Sequence, residues 1–238
     1  MILPRNAKGA RLVVGFVFAS LVLSIGYTII RIIEAPAAPA AGMAYEKLKS
    51  DYVLMLMQCV LGILAMLLPG WLARKWRIEI PSGMMILYIL FLYAAIYLGE
   101  VQSFYYRIPH WDVILHGISG GMLGALAFSF IRLLNKAEQV PFALNPLFTC
   151  IFAFCFSMTL GAFWEIYEYT VDGLLGLNMQ KFLLEDGTPL SGRFALSDTM
   201  KDILMDALGA LCVSILGYIS LKYKKGWVEK LLIRKKGE

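Results

Sequence analysis

The sequence predicts an all-α membrane protein, a polytopic bundle of about six transmembrane helices. Of the 238 residues, 59% are hydrophobic and only 16% are charged, and the mean hydropathy is +0.69. A soluble domain carries about 25% charged residues. The apolar residues also fall into runs of about 20, the length that an α-helix needs to cross the hydrocarbon core. We therefore expect residues 1–238 to form a single integral membrane domain.

Six apolar segments account for the predicted helices. The third segment is short, and the fifth is long enough to tilt or to extend beyond the bilayer. The predicted spans are 12–33, 53–73, 83–99, 111–131, 142–169 and 201–221.

The first span has a second interpretation. A basic start, an apolar run and the stretch EAPAAPAAG resemble a secretory signal peptide with its cleavage site. The apolar run of about 20 residues exceeds the usual 7–15 of a signal peptide, which favours an uncleaved anchor. Cleavage would leave the orientation of the other five spans unchanged.

The basic residues predict that both termini are cytoplasmic. Positive residues accumulate on the cytoplasmic side of membrane proteins. With this orientation, fifteen of the 22 Lys and Arg residues lie at cytoplasmic ends. Their position beside apolar spans also argues against nucleic-acid binding. The fifteen are Arg5, Lys8, Arg11, Arg74, Lys75, Arg77, Arg132, Lys136, Lys222, Lys224, Lys225, Lys230, Arg234, Lys235 and Lys236.

Six ionisable side chains in the last three spans predict one polar site. They form three pairs with a spacing of three or four residues, so each pair shares one face of a helix. Ionisable groups inside membrane spans are costly to bury and indicate function. The predicted orientation brings all six within roughly 10 Å of the outer interface. They are Asp112, His116, Glu165, Glu168, Asp202 and Asp206.

Small residues accompany these polar pairs. Gly120 and Gly124 continue the stripe of the first pair, Gly161 lies one turn before the second, and Ala210 follows the third. Small residues at this spacing let membrane helices approach closely. We therefore expect the three polar faces to point at each other and away from lipid.

The longest predicted connection, residues 173–200, joins the two most acidic spans. Its glycines and Pro189 allow a lid or re-entrant segment over the site, and a plain solvated loop is the alternative. Ser197 or Asp198 could cap the sixth span.

These motifs resemble the VanZ-like superfamily of small bacterial membrane proteins. The relevant runs are Asp112-x-x-x-His116, GAFWEIYEY and SDTMKDILMDALGA, the last preceded by Arg193. The second and third are more similar to the YjdF-type inner membrane proteins. Many VanZ-like sequences have Asn where this chain has Asp206. The resemblance covers about residues 84–221, and residues 1–83 add two further spans outside it.

The resemblance implies a multi-pass protein of the bacterial cytoplasmic (inner) membrane and a site at the quoted residues. The VanZ namesake is linked to glycopeptide-antibiotic resistance without an agreed chemistry, and the YjdF type is largely uncharacterised. It therefore implies the location of a site better than a reaction.

The chemistry of the six residues favours a divalent metal. Five carboxylates cannot all stay ionised at close range in a low dielectric without a countercharge. An oxygen-rich set with one imidazole suits Mg²⁺, Mn²⁺, Fe²⁺ or Zn²⁺. The predicted ligands are His116, Glu165, Asp202 and Asp206. Glu168 or Asp112 would orient a ligand or act as a general base.

A site at this depth suits a hydrolase or transferase that acts on a membrane lipid or a lipid-linked envelope substrate. Arg193 is the predicted partner for a carboxylate or a substrate anion. His110 is either an interfacial, water-exposed residue or reaches over the site as a further ligand. Two alternatives stay open: a proton- or ion-coupled transporter, and a structural or sensing protein in which the polar residues only hold helices together. The sequence contains no HExxH or P-loop motif.

Overall fold

The computed structural model of the protein describes residues 8–38, 46–135, 144–227 and 232–235. These residues form helices and one minimal antiparallel sheet, in which Ile78 pairs with Lys235. The helices are α1 (Lys8–Glu34), α2 (Lys49–Lys75), α3 (Ser82–Leu92), a π-helix (Tyr93–Val101), α4 (Phe104–Arg107), α5 (Trp111–Asn135), α6 (Pro146–Leu175) and α7 (Arg193–Lys222). The strands are β1 (Ile78–Glu79) and β2 (Arg234–Lys235).

Within the described residues, six helical segments are long and apolar enough to cross a membrane, which confirms the predicted fold class. Large apolar side chains cover much of their outer surface, as expected where helices face lipid. Leu12, Leu23 and Leu174 each expose at least 75% of their surface. The cytoplasmic location of both termini stays a prediction. The six segments are Gly9–Glu34, Lys49–Lys75, Ser82–Val101, Trp111–Leu134, Pro146–Leu175 and Arg193–Lys222.

Local signals explain where α6 begins and ends. The Asn145 side chain accepts a hydrogen bond from the Phe148 amide at 2.8 Å, and Pro146 occupies the first turn. Gly176 ends the helix with φ 64°, a left-handed conformation that glycine adopts readily. The predicted start at residue 142 lies outside the described residues.

The sixth span begins two turns earlier than predicted. Because α7 starts at Arg193, the prediction that Ser197 or Asp198 caps this span is wrong. Both residues lie inside the helix, whose first turns are too polar to register as an apolar run. Asp202 and Asp206 consequently lie in the third and fourth turns of α7.

The third span changes its helical type within the membrane. α3 continues directly into the π-helix Tyr93–Val101, which places Gly99 and Glu100 in the interior. Segments of π-helix are rare and frequently occur at functional sites. The chain then turns at Ser103, which is buried and has φ 60°.

The last three membrane helices pack closely around one polar interior. α5 and α7 run parallel, and a β-carbon at Gly209 would collide with the backbone carbonyl of Gly117. α6 runs antiparallel to both, and its Ser157 hydroxyl donates a 2.7 Å hydrogen bond to the Gly120 carbonyl. This arrangement confirms that the small residues let the polar faces meet. The N-terminal helices instead share an apolar core with the π-helix, centred on Leu21, Cys59, Met66 and Ile89.

Candidate functional site

His116 lies at the centre of the polar interior, between acidic side chains from three helices. Its Nδ1 is 3.3 Å from Asp206 Oδ2 on α7. Its Nε2 is 3.8 Å from Asp112 Oδ1 on the same helix and 3.8 Å from Glu165 Oε1 on α6. The structure therefore brings four of the six predicted residues into one cluster.

Asp206 is held more firmly than the other acids of the cluster. The Ser119 hydroxyl donates a 2.9 Å hydrogen bond to Asp206 Oδ1, while Oδ2 faces the His116 ring. The Ser119 hydroxyl also lies 2.8 Å from the His116 carbonyl oxygen. It therefore connects Asp206 of α7 with the turn of α5 that contains His116. Asp206 thus contacts His116 through one carboxylate oxygen and Ser119 through the other. Sequence reasoning did not single out Ser119, although it lies three residues after His116 on the same helix face.

Asp202 joins Asp112 and His116 in a second grouping. One ligand atom from each of these three residues lies within 4.8 Å of the other two. Three ligand atoms this close together could bind one ion in common. Asp112, predicted as an orienting or basic residue, thus lies beside His116 and Asp202 in this grouping. Asp206, predicted as a ligand, faces the other ring nitrogen of His116, Nδ1.

Two carboxylate oxygens at this site are buried without a hydrogen-bond partner among the described residues. They are Glu165 Oε1 and Asp202 Oδ1, and their residues expose only 5% and 4% of their surface. A buried polar atom without a partner is rare and calls for an explanation such as an ion or a water. Both atoms belong to residues predicted as metal ligands.

The cluster becomes more exposed from its centre to its rim. The exposed fraction of the side chain is 2% for Asp206, 6% for Glu165 and 28% for Asp112. Asp112 is also the second residue of α5. The site therefore opens at the end of the bundle where α5 begins and closes towards Asp206.

A buried ion pair that the sequence did not reveal lies beside this opening. Lys181 Nζ is 2.9 Å from Glu100 Oε2, and the two side chains are only 12% and 7% exposed. The ammonium also lies 4.8 Å from the centre of the Tyr105 ring and 5.6 Å from that of Tyr106. Lys181 comes from the loop after α6 and Glu100 from the π-helix, so no local sequence pattern could link them.

The charges of this pair and of the acidic site act on one another. Burial alone lowers the pKa of Lys181, but Glu100, Tyr106 and Asp112 together raise it above its usual value. The pKa of the Tyr105 hydroxyl is raised well above its usual value by burial and then by nearby carboxylates, Asp112 first among them. Glu168 contributes to the same shift, so its charge also acts on Tyr105.

The loop between α6 and α7 is folded back onto the bundle. Asp172 accepts hydrogen bonds from the amides of Met179 at 2.7 Å and Gln180 at 2.9 Å. Asn178 donates to the Tyr106 hydroxyl at 2.9 Å and is buried together with Leu177 and Met179. The first half of the loop is thus a packed segment beside the site. Residues 184–189, by contrast, are exposed.

The two predicted substrate-binding residues lie apart from the cluster. His110 is exposed, with φ 61°, immediately before α5, and Arg193 is exposed as the first residue of α7. Within the described ranges, neither side chain forms a hydrogen bond or ion pair with the six polar residues. Glu168 is half-buried, one turn beyond Glu165 on α6.

Comparison with known proteins places the chain in a family of membrane proteins. The model of the family described as predicted membrane protein (DUF2238) matches residues 37–223. The chain is also similar to an uncharacterized protein of Thermotoga maritima, with 29% identity over 147 residues that cover 59% of this chain. The match spans 64% of that relative, less than two thirds of its length. No solved structure is significantly similar to the chain.

The family match includes all six polar residues of the site and five of the six membrane segments. It begins well before residue 84, the predicted start of the VanZ-like resemblance, and it does not confirm a VanZ-like or YjdF-type assignment, which stays a prediction. Together with the six apolar helices it shows a multi-pass membrane protein. The chain belongs to the DUF2238 family of predicted membrane proteins.

Proposed function

We propose that this protein binds one divalent cation between α5, α6 and α7 and uses it as a hydrolase or transferase of a membrane lipid or lipid-linked substrate. One observation carries the proposal. Ligand atoms of Asp112, His116 and Asp202 lie within 4.8 Å of one another, beside buried oxygens of Glu165 and Asp202 that have no hydrogen-bond partner in the described chain.

Charge balance supports a bound cation. The site holds several carboxylates and one imidazole in a largely buried position, and an uncompensated buried charge destabilises a protein by several kcal/mol. Lys181 neutralises Glu100 beside the site, but in the described part of the chain no Lys or Arg forms an ion pair with Asp202, Asp206 or Glu165. A divalent cation would supply the missing positive charge.

The donor set limits the choice of metal. Carboxylate oxygens with one imidazole nitrogen suit Mg²⁺, Mn²⁺, Fe²⁺ or Zn²⁺. Asp112, His116 and Asp202 would hold the ion, with Glu165 as the fourth donor from the opposite helix. Asp206 would accept a hydrogen bond from His116 Nδ1 and leave Nε2 free to bind metal, the usual carboxylate–histidine–metal arrangement.

The open rim of the site suits a reaction with water or a lipid headgroup. A bound cation can lower the pKa of a water ligand or polarise a phosphoryl oxygen. Glu168 would accept the proton from the attacking group, since it lies one turn from Glu165. The position near one end of the helices suits a substrate whose head lies at the membrane surface. We place that surface on the outer side of a bacterial inner membrane.

Metal binding is tested on the purified protein in detergent. The protein is stripped with EDTA, dialysed and titrated with Mn²⁺ or Zn²⁺ by calorimetry. We expect one ion per chain, and we expect Asp202→Asn to lower the affinity at least about 100-fold through loss of a direct ligand. Lys201→Gln, a substitution at the exposed neighbouring position, is the matched control.

Catalysis is tested by incubating the metal-loaded protein with a bacterial lipid extract. Mass spectrometry should detect released headgroups that disappear with EDTA and with Glu168→Gln. If no metal binds and the variants only lower thermal stability, the polar residues serve only to hold the helices together. Ion flux in proteoliposomes that His116→Ala abolishes, without lipid turnover, would instead establish a transporter.

A further inference from the structure

A polar cavity of about 250 Å³ lies against the end of the π-helix and the segment that follows it. It is smaller than the roughly 300–1,000 Å³ of typical drug-sized ligand pockets. Its size suits a compact polar group. Its lining combines two cations with hydroxyl and amide groups and contains no acid. The polar lining residues are Tyr27, Lys47, Tyr52, Gln102, Ser103 and Arg107.

Lys47 is fixed at the wall of this cavity. Its ammonium donates a 2.6 Å hydrogen bond to the Ser103 hydroxyl, and Ser103 is 3% exposed. The left-handed backbone of Ser103, with φ 60°, turns the chain at this point between the π-helix and α4. An ammonium has three N–H donors, so this bond leaves donors for a ligand. Burial lowers the pKa of Lys47, which an anion in the cavity would counteract.

Arg107 supplies the second cation and is not already engaged. It is exposed at the end of α4, and its guanidinium forms no hydrogen bond or ion pair within the described ranges. A guanidinium presents a planar fork of donors that matches two oxygens of a phosphate. The cavity thus has one fixed cation and one free cation.

Tyr52 adds a hydroxyl that is oriented by a third cation. Arg31 Nε donates a 3.2 Å hydrogen bond to the Tyr52 hydroxyl oxygen, and the Arg31 guanidinium carbon lies 5.3 Å from the centre of the same ring. Tyr52 also forms a side-chain hydrogen bond with Tyr27, so the two hydroxyl groups and Arg31 make one hydrogen-bonding group at the wall of the cavity. An oxygen-rich anion would therefore meet donors from α2, from the residues before α2 and from α4.

We propose that this cavity binds a phosphate group, carried either by an anionic lipid headgroup or by free phosphate. The proposal goes beyond the acidic site, since a cavity with two cations and no acid selects the opposite charge. The cavity lies near the ends of membrane spans, because Lys47 is two residues before α2 and Arg107 is six residues after the third span. A lipid headgroup could therefore reach it.

Binding is measured on the full chain in detergent with three soluble probes: inorganic phosphate, dihexanoylphosphatidylglycerol and dihexanoylphosphatidylcholine. Calorimetry or native mass spectrometry reports the stoichiometry and the Kd. We expect one bound phosphate-bearing ligand per chain. Preference for phosphatidylglycerol over inorganic phosphate assigns the site to an anionic lipid, and the reverse preference assigns it to free phosphate. Equal binding of phosphatidylcholine and phosphatidylglycerol, without binding of phosphate, overturns the proposal.

The matched variants are Arg107→Gln and Lys49→Gln. Loss of a charge-assisted contact at Arg107 should weaken binding at least about tenfold. Lys49 is exposed, lies two residues from Lys47 and does not line the cavity, so its variant should change Kd less than about twofold. Equal effects of the two variants would show nonspecific attraction and reject the site.

A separate readout distinguishes this proposal from that of the acidic site. Arg107→Gln should retain the melting temperature and the metal affinity of the wild type. Asp202→Asn should retain phosphate binding. Failure of phosphate binding with intact metal binding therefore rejects only the cavity proposal, and the converse result rejects only the metal proposal.

Discussion

Gly161 lies so close to Asp206 that a β-carbon at position 161 would collide with the Asp206 carboxylate. α6 thus presents bare backbone to the acid that faces His116 Nδ1. The same acid is fixed from the other side by the Ser119 hydroxyl at 2.9 Å. The position of His116 therefore depends on the absence of a side chain on a neighbouring helix.

Replacing Gly161 by alanine should disturb the site directly. The added methyl group must displace the Asp206 carboxylate or separate α6 from α7, and overpacking of this kind destabilises by about 1–3 kcal/mol. We expect a lower melting temperature and weaker metal binding. Gly173→Ala is the control on the same helix, since a β-carbon there meets no atom within 4 Å. Identical behaviour of the two variants would contradict the packing described for Asp206.

The acids of the site should differ in their effect on metal binding. Asp112→Asn and Asp202→Asn remove proposed ligands and should lower the affinity at least about 100-fold. Asp206→Asn acts through His116, and loss of such a supporting partner lowers metal affinity by about 10- to 100-fold. Calorimetric titration of the three variants gives this order. A larger loss for Asp206→Asn than for Asp202→Asn would reverse their assigned roles.

Metal affinity should fall as the pH falls. Carboxylates and the imidazole bind a cation only in their deprotonated forms, so protons compete with the metal and are released when it binds. We expect the apparent Kd for Mn²⁺ to rise steadily between pH 8 and pH 5. Titration in two buffers with different ionisation enthalpies measures the released protons directly. A pH-independent Kd would point to a site without His116.

The buried pair of Lys181 and Glu100 should be one of the main electrostatic contributions to stability. Lys181→Met leaves a buried carboxylate without its partner, which destabilises by about 3–5 kcal/mol. Combining it with Glu100→Met should recover most of this loss. The exposed pair of Arg31 and Glu34 offers the control, since Glu34→Gln should leave the melting temperature nearly unchanged.

The pH dependence of this pair has a definite sign. The pKa of Lys181 is raised in the folded protein, so its stabilisation is fully present below the unfolded pKa of about 10.4. It is lost only as the pH rises through the higher folded-state pKa. The difference in melting temperature between wild type and Lys181→Met should therefore be constant between pH 6 and pH 9. A difference that shrinks within this range would indicate a Lys181 without its charge.

The predicted orientation of the chain can be measured with reporter fusions. Green fluorescent protein at the C-terminus should fluoresce, because we expect this end in the cytoplasm. Alkaline phosphatase inserted at the exposed residues Asp186 and Gly187 should be active, because we expect the loop after α6 outside. The opposite pair of results would place the acidic site at the cytoplasmic surface.

The sequence was sufficient to predict the membrane helices and the meeting of their polar faces. Apolar runs of about 20 residues specify spans, and the alternation of direction brings Asp112, Glu165 and Asp202 to one end of the bundle. His116 lies among these acids as the stripes predicted. The role of each site residue could not be predicted in the same way. The spacing along a helix does not determine which oxygen of Asp206 faces a ring nitrogen of His116.

Three other features of the structure could not be predicted from local sequence patterns. The first two turns of α7 are polar, so hydropathy placed its start at residue 201 rather than at Arg193. The pairing of Lys181 with Glu100 joins residues 81 positions apart. The π-helix at Tyr93–Val101 carries no compositional signature that separates it from an α-helix.

The parallel packing of α5 against α7 has a consequence for biosynthesis. The helix between them, α6, is translated before α7. His116 therefore lacks Asp206, the residue that faces its Nδ1, until α7 has been inserted. During that interval Asp112 and Glu165 lie in spans whose polar faces are only partly covered. A chain that stops before Arg193 should consequently be recognised as incomplete and degraded, and its lifetime in pulse–chase labelling should be shorter than that of the full chain.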